Sequence, residues 1–190
     1  MAYLSAAQMQ DMGFKSLGKN VKISSDARIY NPELTEIGDN SRIDDFCVIS
    51  GKITIGCYVH IAAMCLLAGG IPGIFIADFC GVSYGVKIFS QTDDYNGGAM
   101  TSPLVPAQYT NVTYRSVTLA RHVLVGTNAV IFPGVTLAEG CSIGALALVN
   151  KSTDPWGIYV GQPAVRKKER KKDMLILEKA FLEEINNDSI

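Results

Sequence analysis

Aliphatic residues recur every six positions along most of this chain. They stand at Ile37, Ile43, Ile49, Ile55, Ile61 and Leu67, then after a three-residue insertion at Ile76, Val82 and Ile88, and again at Leu119, Val125, Ile131, Leu137, Ile143 and Val149. A helix repeats every 3.6 residues and a simple strand every two, so neither explains a period of six. A fixed short period marks a solenoid, in which each unit buries its apolar residue only by stacking on its neighbours. The fourth position after each anchor is usually small, as at Ser41, Cys47, Val59, Cys65, Cys80, Val86, Thr92, Val123, Ala129, Val135, Cys141 and Ala147. With Ile23 and Ile29 included there are about seventeen such units.

The register also disposes of several function classes. Four of the five cysteines, Cys47, Cys65, Cys80 and Cys141, fall on the small position, and Cys57 does not. Their odd number and the lack of a CxxC or Cys/His spacing argue against a disulfide framework and against zinc, and a reducing cytoplasm is the simplest home. A net charge of −1 provides no field for nucleic acid. Residues 61–77 carry no charge, but Gly69, Gly70, Pro72 and Gly73 interrupt them and the register resumes inside them, which excludes a membrane helix there. The N-terminal residues do not read as a signal peptide.

Glycine or a small polar residue often follows the anchor, as in IGDNSR, IGCYVH, VGTNAV and IGALAL. In these motifs the chain resembles the hexapeptide-repeat transferases. The resemblance implies a mainly β single domain: a left-handed parallel β-helix over residues 20–165, with three hexapeptides per triangular coil and between five and six coils. An open-ended solenoid needs caps. The stretch SAAQMQDMGF, within residues 1–19, forms a short amphipathic helix over the first coil. Residues 166–190 form a C-terminal helix at the other end, with Met174, Leu177, Phe181 and Ile185 at helical spacing.

The register is lost between Ile88 and Leu119, and a loop that long, about residues 91–117, is usually functional or disordered. Two prolines, three tyrosines and few charges favour an ordered loop that packs on something. The resemblance implies that it reaches over a neighbouring subunit of a homotrimer, with active sites between chains. It also implies acetyl transfer from acetyl-CoA to a hydroxyl or an amine. In the O-acetyltransferases of this kind, a histidine in a pattern like T-H-P removes the proton of the attacking hydroxyl. Aligned on that pattern, VKIFSQTDDY places Asp93 at the histidine's position. A hydroxyl needs a base of near-neutral pKa, and aspartate, with a reference value of about 3.9, supplies that badly. A neutral amine attacks a thioester without prior deprotonation, so the aspartate tilts the expected reaction toward N-acetylation. Asp93 and the adjacent Asp94 also read as turn formers before Asn96, Gly97 and Gly98. His60 is the alternative base, and with it O-acetylation regains weight; His122 and His60 both read equally as corner or surface residues.

The closing stretch WGIYVGQPAVRKK is similar to the family's G-x-P-A end followed by basic residues. By that match Gly126, Ala145, Gly161, Pro163 and Ala164 line the coenzyme A groove, and Lys151, Arg166, Lys167 and Lys168 are candidates for its phosphates. Gly161 and Pro163 read equally as a turn. The DDYxG start, SPLVPAQY and the end motif look like the branch that works on nucleotide-linked amino sugars for O-antigen or capsule. Tyr84, Tyr95 and Tyr109 are the residues for stacking on base or sugar. A sugar O-acetyltransferase and a non-catalytic scaffold remain as alternatives. A carbonic-anhydrase-like site would need three histidines for zinc, and the chain has two.

Overall fold

The computed structural model describes residues 2–188 and builds a prism of stacked strands. One face holds Lys22–Ile23, Arg42–Ile43, His60–Ile61, Gly81–Val82, Leu124–Val125, Ser142–Ile143 and Gly157–Val160, each parallel to the next. These rungs correspond to about seven turns, more than the five to six that the anchors predict. The stack is longer because Leu17 pairs with Ile37 and Tyr159 with Ile143. Leu17 lies one period before Ile23, and Tyr159 is an aromatic residue displaced from the period by the preceding turn. The other two faces merge into one ten-stranded sheet. They merge because Val48–Ile55 and Leu66–Ile76 continue around the corner between them.

The anchors fill the prism. Ile23, Ile43, Ile49, Ile61, Leu67, Ile88, Leu119 and Ile131 are all fully buried, and each such side chain contributes about 1.5–3 kcal/mol of transfer free energy. Three residues after an anchor the backbone turns through the left-handed region, at Phe46, Tyr58, Met64, Phe79, His122 and Leu146 among others, and Trp156 turns likewise beyond the last anchor. The next residue points inward again at a tight corner, which is why it is small. Cys47, Cys65, Cys80 and Cys141 occupy that place and are buried. The first three thiols donate to Ala62 O, Ser83 O and Ala120 O at 3.1, 3.1 and 3.0 Å. The uncharged residues 61–77 are strand and corner, with Gly70 and Gly73 at positive φ and Ile71 protruding.

At the N-terminal end α1 (Ala6–Asp11) starts on a capping box between Ser5 and Gln8, and Leu4, Met9, Phe14 and Leu17 pack on the first coil. At the other end the structure departs from the expected helix over residues 166–190. Val165–Glu169 is a strand, antiparallel to Gly157–Val160. The last rung leaves a row of unpaired backbone groups, and this strand covers it. The helix α2 starts only at Met174 and runs to Asp188. It lies along one corner of the prism: Phe181 sits edge-on to Tyr58 and Phe79. Its packed side includes Leu175, Glu178 and Leu182, while Leu177, expected on the apolar face, is exposed.

Between Phe89 and Val117 the chain leaves the prism and returns. Gln91–Thr92 pairs antiparallel with Thr113–Tyr114, and Met100 bridges Thr110 further out. The loop is therefore an ordered, hairpin-based excursion. On return, Val117–Leu119 resumes the stack on Ile74–Ile76.

Candidate functional site

A cavity of about 700 Å³ opens at the base of the excursion. Its floor is Ala68, Phe89 and Phe132 on three successive rungs, and its walls are Gln91, Thr92, Asp93, Tyr95, Val105, Val112 and Tyr114 from the loop. Asp93 is the one carboxylate on it, and no histidine lines it among the described residues. An aromatic-lined cleft with one convergent charge suits a ring-bearing substrate whose reacting group is basic. Buried Ser90 anchors the entry to the loop, donating to Ala68 O at 3.1 Å and Gly69 O at 2.5 Å. Arg115 N donates to Ser90 O at the exit.

The structure separates the two adjacent acids. Asp94 points away from the cavity and uses both oxygens in the turn, accepting from Asn96 N at 2.8 Å and Gly98 N at 3.1 Å. Tyr95 lines the cavity; Tyr84 and Tyr109 do not, and both are exposed. Phe89, Tyr114 and Phe132 are the aromatic residues that sequence reading missed. Their spacing followed the strands and the loop's return, which no local pattern shows.

The two histidines are far from alike. His122 is buried between Phe79 and Trp156, and its Nε2 lies 2.9 Å from Glu178 Oε2. His60 is half-exposed, with Nε2 2.8 Å from Asp44 Oδ2 and 2.9 Å from Arg42 Nη2. Asp44 is buried beneath them. Arg42 Nη2 donates to Asp44 Oδ2 at 3.1 Å, while Arg42 Nε and Asp44 Oδ1, 2.8 Å apart, are out of line for a hydrogen bond. His60 is not on the cavity that holds Asp93.

Residues following the anchors of this face form a column joined by backbone bonds. Asp44 N donates to Ile61 O, Ala62 N to Val82 O, Ser83 N to Val125 O and Gly126 N to Ile143 O, all at 2.8–2.9 Å. Ser83 is half-buried, on the fourth rung of the face. Above it Gly126 has a stacking reason to be glycine, since a Cβ would stand 2.6 Å from Ala145 N. Gly161 takes φ +98°, and the Gln162–Pro163 bond is cis. Ala164 N donates to Leu148 O at 2.8 Å. Lys151, Lys167 and Lys168 are exposed at this end; Arg166 pairs with Glu169. Arg170 is committed to the fold, donating to His122 O at 2.7 Å and Gly140 O at 3.0 Å.

No family model matches the chain. A dTDP-4-amino-4,6-dideoxy-D-glucose acyltransferase of Escherichia coli is 42% identical over 184 residues, 95% of each chain. AntD, an N-acyltransferase from Bacillus cereus solved with dTDP and 3-hydroxybutyryl-CoA, superposes with a TM-score of 0.95 at 45% identity, covering 97% of this chain and 98% of that one. A serine variant of AntD, solved with dTDP-4-amino-4,6-dideoxyglucose and coenzyme A, gives 0.94 at 43% identity, covering 96% and 98%.

Proposed function

The chain belongs to the hexapeptide-repeat acyltransferases, and on that footing we propose that it moves an acyl group from acyl-CoA to the amine of a dTDP-linked amino-deoxy sugar. The observation that carries the choice of amine over hydroxyl is the cavity itself, where the sole carboxylate is Asp93 and no histidine stands among the described lining residues. Identity of 42% to an acyltransferase of dTDP-4-amino-4,6-dideoxy-D-glucose supports the same acceptor class. AntD has been solved with substitutions at an aspartate and at a serine ten positions before it. Here Ser83 and Asp93 have that spacing, and this supports a role for both in one reaction.

The chemistry follows. Asp93 attracts and orients the acceptor's ammonium, which must lose a proton before it reacts. The neutral nitrogen attacks the thioester carbonyl, a C–N bond forms, and the tetrahedral intermediate collapses with cleavage of the C–S bond. One further proton leaves nitrogen, and the coenzyme A thiolate takes up a proton on release. In this reading Asp93 receives and passes on the proton that nitrogen gives up. Ser83, with a hydroxyl that both donates and accepts, is suited to the sugar or the thioester oxygen.

Coenzyme A lies along the rungs above Ser83, past Gly126 and Ala145 to Gly161, Pro163 and Ala164, with its phosphates on Lys151, Lys167 or Lys168. Arg166 is the weaker candidate because Glu169 already occupies its guanidinium. The sites lie between chains of a homotrimer. Tyr95, Met100 and Leu104, apolar and exposed on the excursion, support that arrangement. The reaction fits the cytoplasmic assembly of a sugar for O-antigen or capsule.

The test is release of free thiol from acetyl-CoA with a panel of dTDP-linked amino sugars and matching hydroxyl sugars. Release with the amino sugars alone is expected. Release with hydroxyl acceptors alone would overturn the amine reading, and none with any acceptor would favour a scaffold. Asp93→Asn should lower turnover by about 10²–10⁴-fold without moving the melting temperature.

A further inference from the structure

The outer face of the first three rungs carries Lys22, Arg42 and His60 in one column, each directly opposite the next. Neighbouring rungs are about 4.8 Å apart, so the ammonium, the guanidinium and the imidazole form a basic strip about 10 Å long. The strip borders a groove of about 750 Å³ whose other walls include Asn20, Asn40 and Tyr58. The fourth place in the column is Gly81, so the groove runs on without a side chain toward Ser83, two residues later.

Arg42 and His60 are held in place from beneath. Asp44, 3% exposed at its side chain, holds Arg42 and His60, which are 43% and 44% exposed. The buried carboxylate fixes the guanidinium on its Nε and Nη2 side, which turns Nη1 outward. Orientation in advance lowers the entropy lost when a ligand binds. Asp44 is the carboxylate in contact with the strip, and it faces inward. Asn20 and Asn40 pair with each other at 3.1 Å and carry no charge. With Lys22 and Arg42 against the one carboxylate, the strip presents net positive charge on a guanidinium held in one orientation, an arrangement that suits phosphate oxygens.

Resting on the acceptor class proposed above, we infer that Lys22, Arg42 and His60 bind the diphosphate of the nucleotide-linked sugar. The two phosphates span about one rung. Seated on Arg42 and His60, they leave the sugar over the bare Gly81 and beside Ser83, directly below the rungs proposed for coenzyme A, and the homotrimer proposed above lets the excursion of a neighbouring chain meet it there. Acceptor and donor then lie end to end along one face, meeting at the fourth rung. This makes His60 a binding residue instead of a base. Coenzyme A also carries a diphosphate, but the lysines proposed for it lie at the opposite end of the stack.

Calorimetric titration of dTDP and of coenzyme A, separately, into the full chain distinguishes the two diphosphates. Arg42→Met and Lys22→Met should each weaken dTDP binding at least tenfold and leave coenzyme A within twofold. Arg42→Lys, which keeps the charge and loses the fork, should fall between. Lys22 is at the surface, so its variant keeps the test valid if loss of Arg42 disturbs Asp44. Unchanged dTDP affinity in both Met variants overturns the site, as does weakened coenzyme A binding with dTDP intact. A wild-type protein that binds coenzyme A but no dTDP overturns the acceptor reading itself.

Discussion

Two edges of the same prism use the same backbone and reach opposite ends. At one, the corner residues Tyr58, Phe79, His122 and Trp156 stack in a ladder: Tyr58 and Phe79 at 5.0 Å, Phe79 and His122 at 5.4 Å, His122 and Trp156 at 6.3 Å. Helix α2 seals it, with Phe181 against the rings and Glu178 reaching both His122 and Arg121. Arg121 continues to Asp78 at 3.1 Å. At the other, the outward side chains are the strand residues Lys22, Arg42 and His60 and then Gly81, with Ser83 two residues further on, and no helix covers them among the described residues. Each left-handed corner costs about 1–2 kcal/mol when it is not glycine. The ring contacts, about 0.5–1.5 kcal/mol each, offset that cost at the sealed edge. The open edge keeps polar groups facing outward, where they are free for ligands.

The difference predicts that the two histidines fail in different ways. His122→Ala loses two ring contacts and leaves Glu178 without one partner, so stability should fall by about 2–4 kcal/mol. His60→Ala should cost about 1 kcal/mol or less, the range of a half-exposed hydrogen-bonded contact, while weakening acceptor binding. Urea midpoints of the two variants check this directly. If His60→Ala destabilises as much as His122→Ala, the open edge is structural and the contrast fails.

A smaller effect comes from glycines. Gly140 sits at φ +66°, and a Cβ there would come within 2.4 Å of the Trp156 ring. Gly140→Ala should cost about 1–3 kcal/mol, the sum of backbone strain and forced movement of the ladder. Gly97, at φ +77° on the excursion, has nothing within 4 Å of its Cβ position. Gly97→Ala should cost about 1 kcal/mol, from the backbone alone. Equal losses would mean that Trp156 yields freely and the ladder is loosely packed.

What the sequence shows depends on the distance over which a feature is built. The coil is legible because every anchor sits six residues from the next and each is buried. The position of Asp93 at the mouth of the excursion is legible because the register stops beside it. Tyr159 escapes because it is aromatic and out of period. The aromatic ladder escapes because Tyr58, Phe79 and His122 meet only after full turns of unequal length, the second holding the whole excursion. That ladder is what draws α2 onto the side of the prism. Arg42 escapes, and His60 is read only as an alternative base, for the same reason: in sequence each is a polar residue one place before an anchor, and only the stacking makes them neighbours.

The smallest effect concerns the thiols, which belong to the sealed interior. Burial pushes Cys80 up to about 12 and raises Cys141 as well. Both therefore remain neutral in the folded state where an unfolded thiol, near 8.5, has ionised. The unfolded chain then holds fewer protons, so stability is intact below about pH 8.5 and falls as the pH rises toward 12. Urea midpoints should drop between pH 8 and 10.5, and Cys80→Ala should flatten that slope while lowering the midpoint at pH 8. At pH 8 a thiol reagent should reach the half-buried Cys57 slowly and the other four cysteines only in denaturant. Rapid labelling of Cys80 in the folded protein would mean that the rungs beside the ladder open readily, and the sealed edge would then be no more closed than the other.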